Sequence, residues 1–226
     1  MSAQASTQPR KIEIREANQA LILEAAEKIF AMNGFRGAAT SDIAREAGIP
    51  KANVHYYFKT KEDLYREVLR HILNDWMSAA STFEAHNDPA EALRTYVKAK
   101  MEFSRNRPYG SRVWAREIMS GAPVLEDFLG TTLKTWLRER SRIIRAWIRE
   151  GKIKPVEPQT LLYMIWATTQ HYADFERQII ILNNGKKLSN RSYRQRTEQL
   201  VELVLGSVGL NGGVKGKGQC PKDKSA

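Results

Sequence analysis

The stretch from Thr40 to Lys61, T-S-D-I-A-R-E-A-G-I-P-K-A-N-V-H-Y-Y-F-K-T-K, constrains the fold of this chain more than any other. Ile43, Ala44 and Ala47 give one short segment a small apolar face at helical spacing. Gly48 follows, at the place where a left-handed residue ends a helix. Val54, Tyr57 and Phe58 then recur at i, i+3 and i+4 and form the inner face of a second short helix. Lys51, Asn53, His55 and Tyr56 fall on its other face, and all four can hydrogen-bond. Two short helices joined by a tight turn, the second with a polar outer face, form a helix-turn-helix. That motif fits the major groove of double-stranded DNA.

Phosphate contacts position such a protein and base contacts specify the sequence. Lys61 and Tyr56 are the candidates for phosphate. Lys51, Asn53 and His55 are candidates for base edges or phosphates. Tyr57 and Phe58 are expected in the core, and Tyr56 has core packing as its alternative reading. Thr40 completes the DNA-facing set; it or Ser41 is the expected cap of the first short helix. The net charge of +11 and a pI near 9.8 favour a polyanionic partner, although charge by itself separates DNA binding from ordinary solubility only weakly.

The run A-G-I-P-K-A-N-V-H-Y-Y-F-K-T-K-E-D-L resembles the DNA-binding domain of the TetR family of bacterial repressors. In that family an aromatic-rich recognition helix precedes a Lys-Glu-x-Leu helix start, which Lys61, Glu62 and Leu64 match. Pro50 stands where the family usually has Ser, and Ala38 where it often has Thr. Proline is tolerated at the first position of a helix, so Pro50 is expected there.

Helical periodicity continues along the chain. Residues 1–16 read as a flexible basic arm with Arg10, Lys11 and Arg15. Leu21, Ile22, Ala25, Ile29 and Phe30 mark a helix over about 18–33, closed by Gly34. Leu64, Val68, Ile72 and Trp76 mark a long helix over about 61–84. Asp88-Pro89 caps and opens the next, which Pro108 ends. Further helices are expected over about 111–120, 125–150, 159–182 and 193–207. The result is an all-α chain of about nine helices: a helix-turn-helix domain over 17–62, and a ligand-binding and dimerisation domain over 63–210. A Gly/Lys-rich tail over 211–226 reads as disordered. Cys220, the single cysteine, lies in that tail and receives no role. No apolar run approaches the ~20 residues of a membrane span, and M-S-A-Q-A-S-T-Q-P-R-K lacks the apolar core of a signal peptide. A cytoplasmic protein is expected.

The resemblance extends past the head. R-V-W-A-R-E-I-M-S-G-A-P and M-I-W-A-T-T-Q-H-Y-A-D-F look like the ligand-binding body of the TetR-type regulators of pyrimidine utilisation. It implies a homodimeric repressor that leaves its DNA operator when a small molecule binds, with uracil or thymine suspected. Trp166 and Gln170 lie one helical turn apart and supply a stacking plane and an amide edge. Their alternative is core packing and a satisfied buried amide. Trp76 and Arg112 match positions that the resemblance places near the same cavity, with an ion pair as the alternative for Arg112. His171 and Asp174 could hold a metal, but no third ligand is apparent in sequence, so a polar edge at a dimer interface is the expectation. Val201, Val204 and Leu205 are read as the stripe of the last helix that meets a second copy. No cofactor, metal or membrane partner is expected. No nucleophile motif, phosphate loop or dinucleotide fingerprint appears, so no enzyme is expected. A ligand-independent DNA-architectural protein and a helical enzyme remain the competing classes.

Overall fold

The computed structural model describes residues 7–81 and 87–210; the tail at 211–226, with Cys220, lies outside the described residues. All described regular structure is helical. Helix α1 (Thr7–Gly37) contains one non-helical residue, Gly34, whose φ of 70° breaks it near its end. Since α1 starts at Thr7, the segment expected as an arm is helical from that residue onward. Exposed Glu13, Arg15 and Glu16 are good helix formers, and their helix needs no buried face. The side chains of Arg10 and Lys11 lie outside the described residues. The buried stripe of α1 is Ile22, Ala26 and Phe30, while Leu21, expected inside, is exposed.

Helices α2 (Thr40–Ala47) and α3 (Lys51–Tyr57) form the expected pair. Gly48 closes α2 in the left-handed conformation, and its N–H donates to the carbonyls of Ala44 and Arg45. Ile43, Ala44, Val54 and Phe58 are buried with the α1 stripe. Two capping expectations change. Ala39, not Thr40 or Ser41, is the N-cap of α2 and has no side chain to cap it. Pro50 is the N-cap of α3 rather than its first residue; its extended ψ of 141° keeps it outside the helix.

Helix α4 (Lys61–Ser81) starts with a reciprocal cap. The Asp63 N–H donates to Thr60 Oγ1 at 3.0 Å and the Thr60 N–H to Asp63 Oδ2 at 3.2 Å. Its 21 residues span about 31 Å. Leu64, Val68 and Ile72 sit in the same core as α2 and α3, and Trp76 follows one turn later.

Helix α5 (Pro89–Asn106) is capped by Asp88, as the Asp-Pro pair implies. Helix α6 (Pro108–Met119) begins at Pro108 itself, so this proline opens a helix instead of only ending one. Arg107, between the two, pairs with Glu27 of α1 and Asp75 of α4 and ties three helices together. The expected helix over 125–150 is α7 (Glu126–Phe128), a wide π turn (Leu129–Leu133) and α8 (Lys134–Arg149). The next is divided into α9 (Pro158–Asp174) and α10 (Glu176–Leu182), with a break at Phe175. Helix α11 (Asn190–Ser207) closes the described chain, capped by Ser189.

A second core joins α5, α8, α9 and α11. Val201, Val204 and Leu205 belong to it and are almost fully buried, so the stripe expected to meet a second copy packs inside the protomer. Periodicity identifies an apolar face but not what covers it. Truncating Leu205 to Ala should therefore destabilise the monomeric fold by about 2–5 kcal/mol. Urea unfolding of the wild type and Leu205→Ala at equal protein concentration checks this, through a lower midpoint for the variant.

Candidate functional site

Two regions bring the sequence-derived candidates together. The first is the outer face of α3. Lys51, His55 and Tyr56 are exposed, Asn53 is half-buried, and Val54 and Phe58 face the core. Tyr56 is 74% exposed and meets Tyr57 edge to face at 5.2 Å, which excludes the core alternative for Tyr56. Tyr57 is half-buried, and its hydroxyl accepts from Asn18 Nδ2 at 3.4 Å. Thr40 is half-buried at the first turn of α2. The Lys61 ammonium donates to the Ala38 carbonyl at 3.1 Å and lies 4.7 Å from the centre of the Phe35 ring. Lys61 thus braces the turn between α1 and α2. An ammonium carries three donors, so the brace leaves protons for a further acceptor.

The second region is a cavity of about 270 Å³ at the inner end of α4. Leu73, Trp76 and Met77 of α4 contribute to its lining, as do Trp114 of α6 and Leu129 and Leu133 of the π turn. Two aromatic groups stand out. Trp76 lies 4.7 Å from Trp114, centre to centre; Trp136 lies 5.9 Å from Trp166 and 6.1 Å from Tyr96. Trp166 and Gln170 both line the cavity, one turn apart on α9. The Trp166 indole N–H donates to the Tyr96 hydroxyl at 2.7 Å, which fixes the plane of the ring. The Gln170 amide makes no hydrogen bond among the described residues.

Arg112 is not in this lining. Its guanidinium donates to the Ala173 carbonyl at 3.0 Å and to Glu176 at 2.6 Å, so it holds α6 against the break between α9 and α10. The ion-pair alternative describes it. Arg116 donates to the Met32 carbonyl at 3.4 Å. His171 stacks on Phe175 at 4.9 Å, and Asp174 accepts from Ser111 Oγ at 2.6 Å, so the two side chains have separate partners. Among the described residues, no cluster of three or more His, Cys, Asp or Glu could hold a metal.

Lys100, Tyr96, Trp114 and Trp136 are among the lining residues that sequence reasoning did not assign to a site. Lys100 is 3% exposed, and its ammonium lies 3.7 Å from the centre of the Trp76 ring. Burial pushes its pKa down to about 7, against the opposing attraction of Asp174. Burial likewise raises the Asp174 carboxyl, and the Ser111 hydrogen bond opposes that shift. A signal for Lys100 was present. It stands on the stripe Leu93, Tyr96, Val97, Lys100, Ser104, which is the buried face of α5.

Comparison with known proteins agrees with this geometry. Residues 22–68 match the model for bacterial regulatory proteins of the tetR family, and residues 69–211 match the model for the C-terminal region of YcdC-like proteins. The HTH-type transcriptional regulator RutR of Escherichia coli K12 is 38% identical over 192 residues, covering 85% of this chain and 91% of that one. The ketosteroid transcriptional regulator KstR2 of Mycobacterium tuberculosis has a similar fold. Its TM-score is 0.70 at 22% identity, over 84% of this chain and 94% of that one. The putative transcriptional regulator SCO4942 of Streptomyces coelicolor has a TM-score of 0.66 at 24% identity, over 85% and 99%.

A pH prediction follows from Lys100. Its pKa is lower in the folded protein than in the unfolded chain, so between about pH 7 and the ordinary lysine value of 10.5 the unfolded chain binds more protons. Stability contributed by this residue therefore rises with pH through that window. Urea unfolding of the wild type and Lys100→Met at pH 6 and pH 9 should show the wild type gaining relative to the variant at the higher pH. An unchanged difference would contradict the buried position of the amine.

Proposed function

The chain belongs to the TetR family of bacterial regulatory proteins and is a transcriptional regulator, and we propose that it works as a cytoplasmic, dimeric repressor released from its operator by a pyrimidine or a related small planar heterocycle. The observation that carries this reading is the course of α4. One end packs under the helix-turn-helix and the other forms a wall of the aromatic cavity. A ligand that fills the cavity acts on the helix that holds the head. The head corresponds to residues 17–62 and the body to 63–210. The lining supports a flat ligand, because indole rings offer stacking planes and Gln170 an amide edge that both donates and accepts. The 38% identity with RutR makes uracil and thymine the first candidates. Thr40, Lys51, Asn53, His55, Tyr56 and Lys61 are assigned to DNA, and Trp76, Trp166 and Gln170 to the effector; Arg112 is assigned to holding the α9–α10 break.

A second copy is assigned to the outer faces of α9, α10 and α11. Tyr163, Phe175, Ile181, Leu182 and Leu203 leave large apolar side chains in water there, with Leu182 77% exposed and Leu203 70%. A two-fold pair buries the same patch on both subunits and gives two heads for two half-sites. Leu203→Glu places its charge on this outer face, clear of the protomer core. It should yield a folded monomer by light scattering, with wild-type helicity and weakened operator binding. A dimer that survives the substitution would move the interface elsewhere.

Operator titrations test the rest. Lys61→Ala should weaken binding to every sequence and reduce the salt slope by about one unit, as a lost phosphate contact does. Asn53→Ala should change the ranking of operators. Gln170→Ala should bind the operator as the wild type does but fail to release it when uracil or thymine is added. Release of both wild type and Gln170→Ala at the same ligand concentration would remove Gln170 from the effector site.

A further inference from the structure

Among the described residues that line the aromatic cavity, Lys100 is the one charged side chain, and no carboxylate is among them. Its ammonium makes no hydrogen bond or ion pair among the described residues; its neighbour is the face of Trp76. Two more donors in the lining are buried without a partner, the indole N–H groups of Trp76 and Trp136. Buried donors left unpaired each cost about 1–3 kcal/mol, and native proteins keep few of them. These two indole N–H groups and the Lys100 ammonium share one lining, which suits a ligand that brings acceptor atoms and negative charge.

We propose that Lys100 is the specificity-determining residue of this cavity and that the effector presents an anionic oxygen to its ammonium, so that the site takes planar heterocycles bearing a carboxylate in preference to neutral rings such as uracil or thymine. The inference rests on reading the cavity as the effector site and narrows the class of ligand within it. A neutral carbonyl can accept from the ammonium but leaves its charge uncompensated among indole rings. A carboxylate neutralises it where low polarity makes the attraction large. The other charged and titratable groups near Lys100 are on three helices. Asp174 and His171 lie on α9, with Asp174 held by Ser111 of α6. Arg112 of α6 is engaged with Ala173 and Glu176, and Tyr96 of α5 accepts from Trp166. Asp174 offsets the cation only in part, because its oxygen is directed to Ser111. The amine of Lys100 is partly unprotonated at neutral pH, so binding of a ring that is already ionised draws a proton from solvent.

Calorimetry on the full chain distinguishes the possibilities, with uracil and uracil-6-carboxylate as probes at pH 7, each in phosphate and in Tris. The wild type should bind the carboxylate at least tenfold more tightly than uracil, with an enthalpy that differs between the buffers by the ionisation heat of the proton taken up. Lys100→Met keeps a long unbranched side chain and removes the charge. It should lose at least tenfold in affinity for the carboxylate, change little toward uracil and show no buffer dependence. Operator binding and urea unfolding of the variant establish that it is folded. Uracil bound as tightly as the carboxylate by the wild type overturns the inference without reference to any variant, and so does a preference that survives in Lys100→Met. In the first case the effector reading of the cavity stands; binding of neither ring overturns both.

Discussion

The structure depends on one helix serving two cores. α4 buries Leu64, Val68 and Ile72 with the helix-turn-helix, and five residues after Ile72 it still lines the aromatic cavity with Met77. A continuous helix of about 31 Å does not bend freely, because each backbone bond along it is made within the helix. On the proposed mechanism, a displacement of Trp76 or Met77 is passed along α4 toward Leu64. The Arg107 pairs with Glu27 and Asp75 hold the middle of α4 against α1, and the Tyr65 hydroxyl donates to Glu117 of α6 at 3.0 Å. Glu117 in turn accepts from the Val124 N–H at 2.6 Å. Apart from the exposed Arg107–Asp75 pair, these are buried or half-buried polar contacts, and partners of that kind hold a few discrete arrangements rather than a continuum.

The cavity is built for chemical selection as well as for space. Its aromatic walls accept any flat ring, so shape alone separates similar heterocycles poorly. Discrimination comes from polar groups that a wrong ligand leaves unpaired. On the proposed reading of the cavity, Gln170, Lys100 and the indole N–H groups of Trp76 and Trp136 are those groups. The π turn at Leu129–Leu133 adds a wider helical turn to the lining, a type of irregularity frequent at functional sites.

Much of this was legible in the residues, for identifiable reasons. The head was, because Gly48, the Val54–Tyr57–Phe58 spacing and the polar outer face of α3 are local features that no distant contact needs to complete. Trp166 and Gln170 line the same cavity because four residues on a helix fix a shared face. The misplacements share a different cause. An apolar stripe does not say whether it meets its own protomer or a second copy, so Leu205 was read outward and lies inside. Arg112 was read toward the cavity, but its partners Ala173 and Glu176 are more than 60 residues away and only the fold brings them close. Lys100 escaped because a lysine is ordinarily a surface residue, although its neighbours on α5 placed it on the buried face. The break at Phe175 has no Gly or Pro to mark it, and at the π turn Gly130, Thr131 and Thr132 are poor helix formers set in a run whose apolar spacing continues on either side.

Coupling between cavity and head is the central claim, and a ligand shifts such an equilibrium only by its unequal affinity for the two states. The most direct measurement is the distance between the two heads of the dimer in solution. A spin label at Ala52→Cys on exposed α3, with Cys220→Ser removing the native thiol, reports it by double electron–electron resonance. The account predicts a shift in the head-to-head distance distribution when uracil or uracil-6-carboxylate fills the cavity, and no shift with Gln170→Ala. A distribution unchanged by a ligand that nonetheless releases the operator would contradict it.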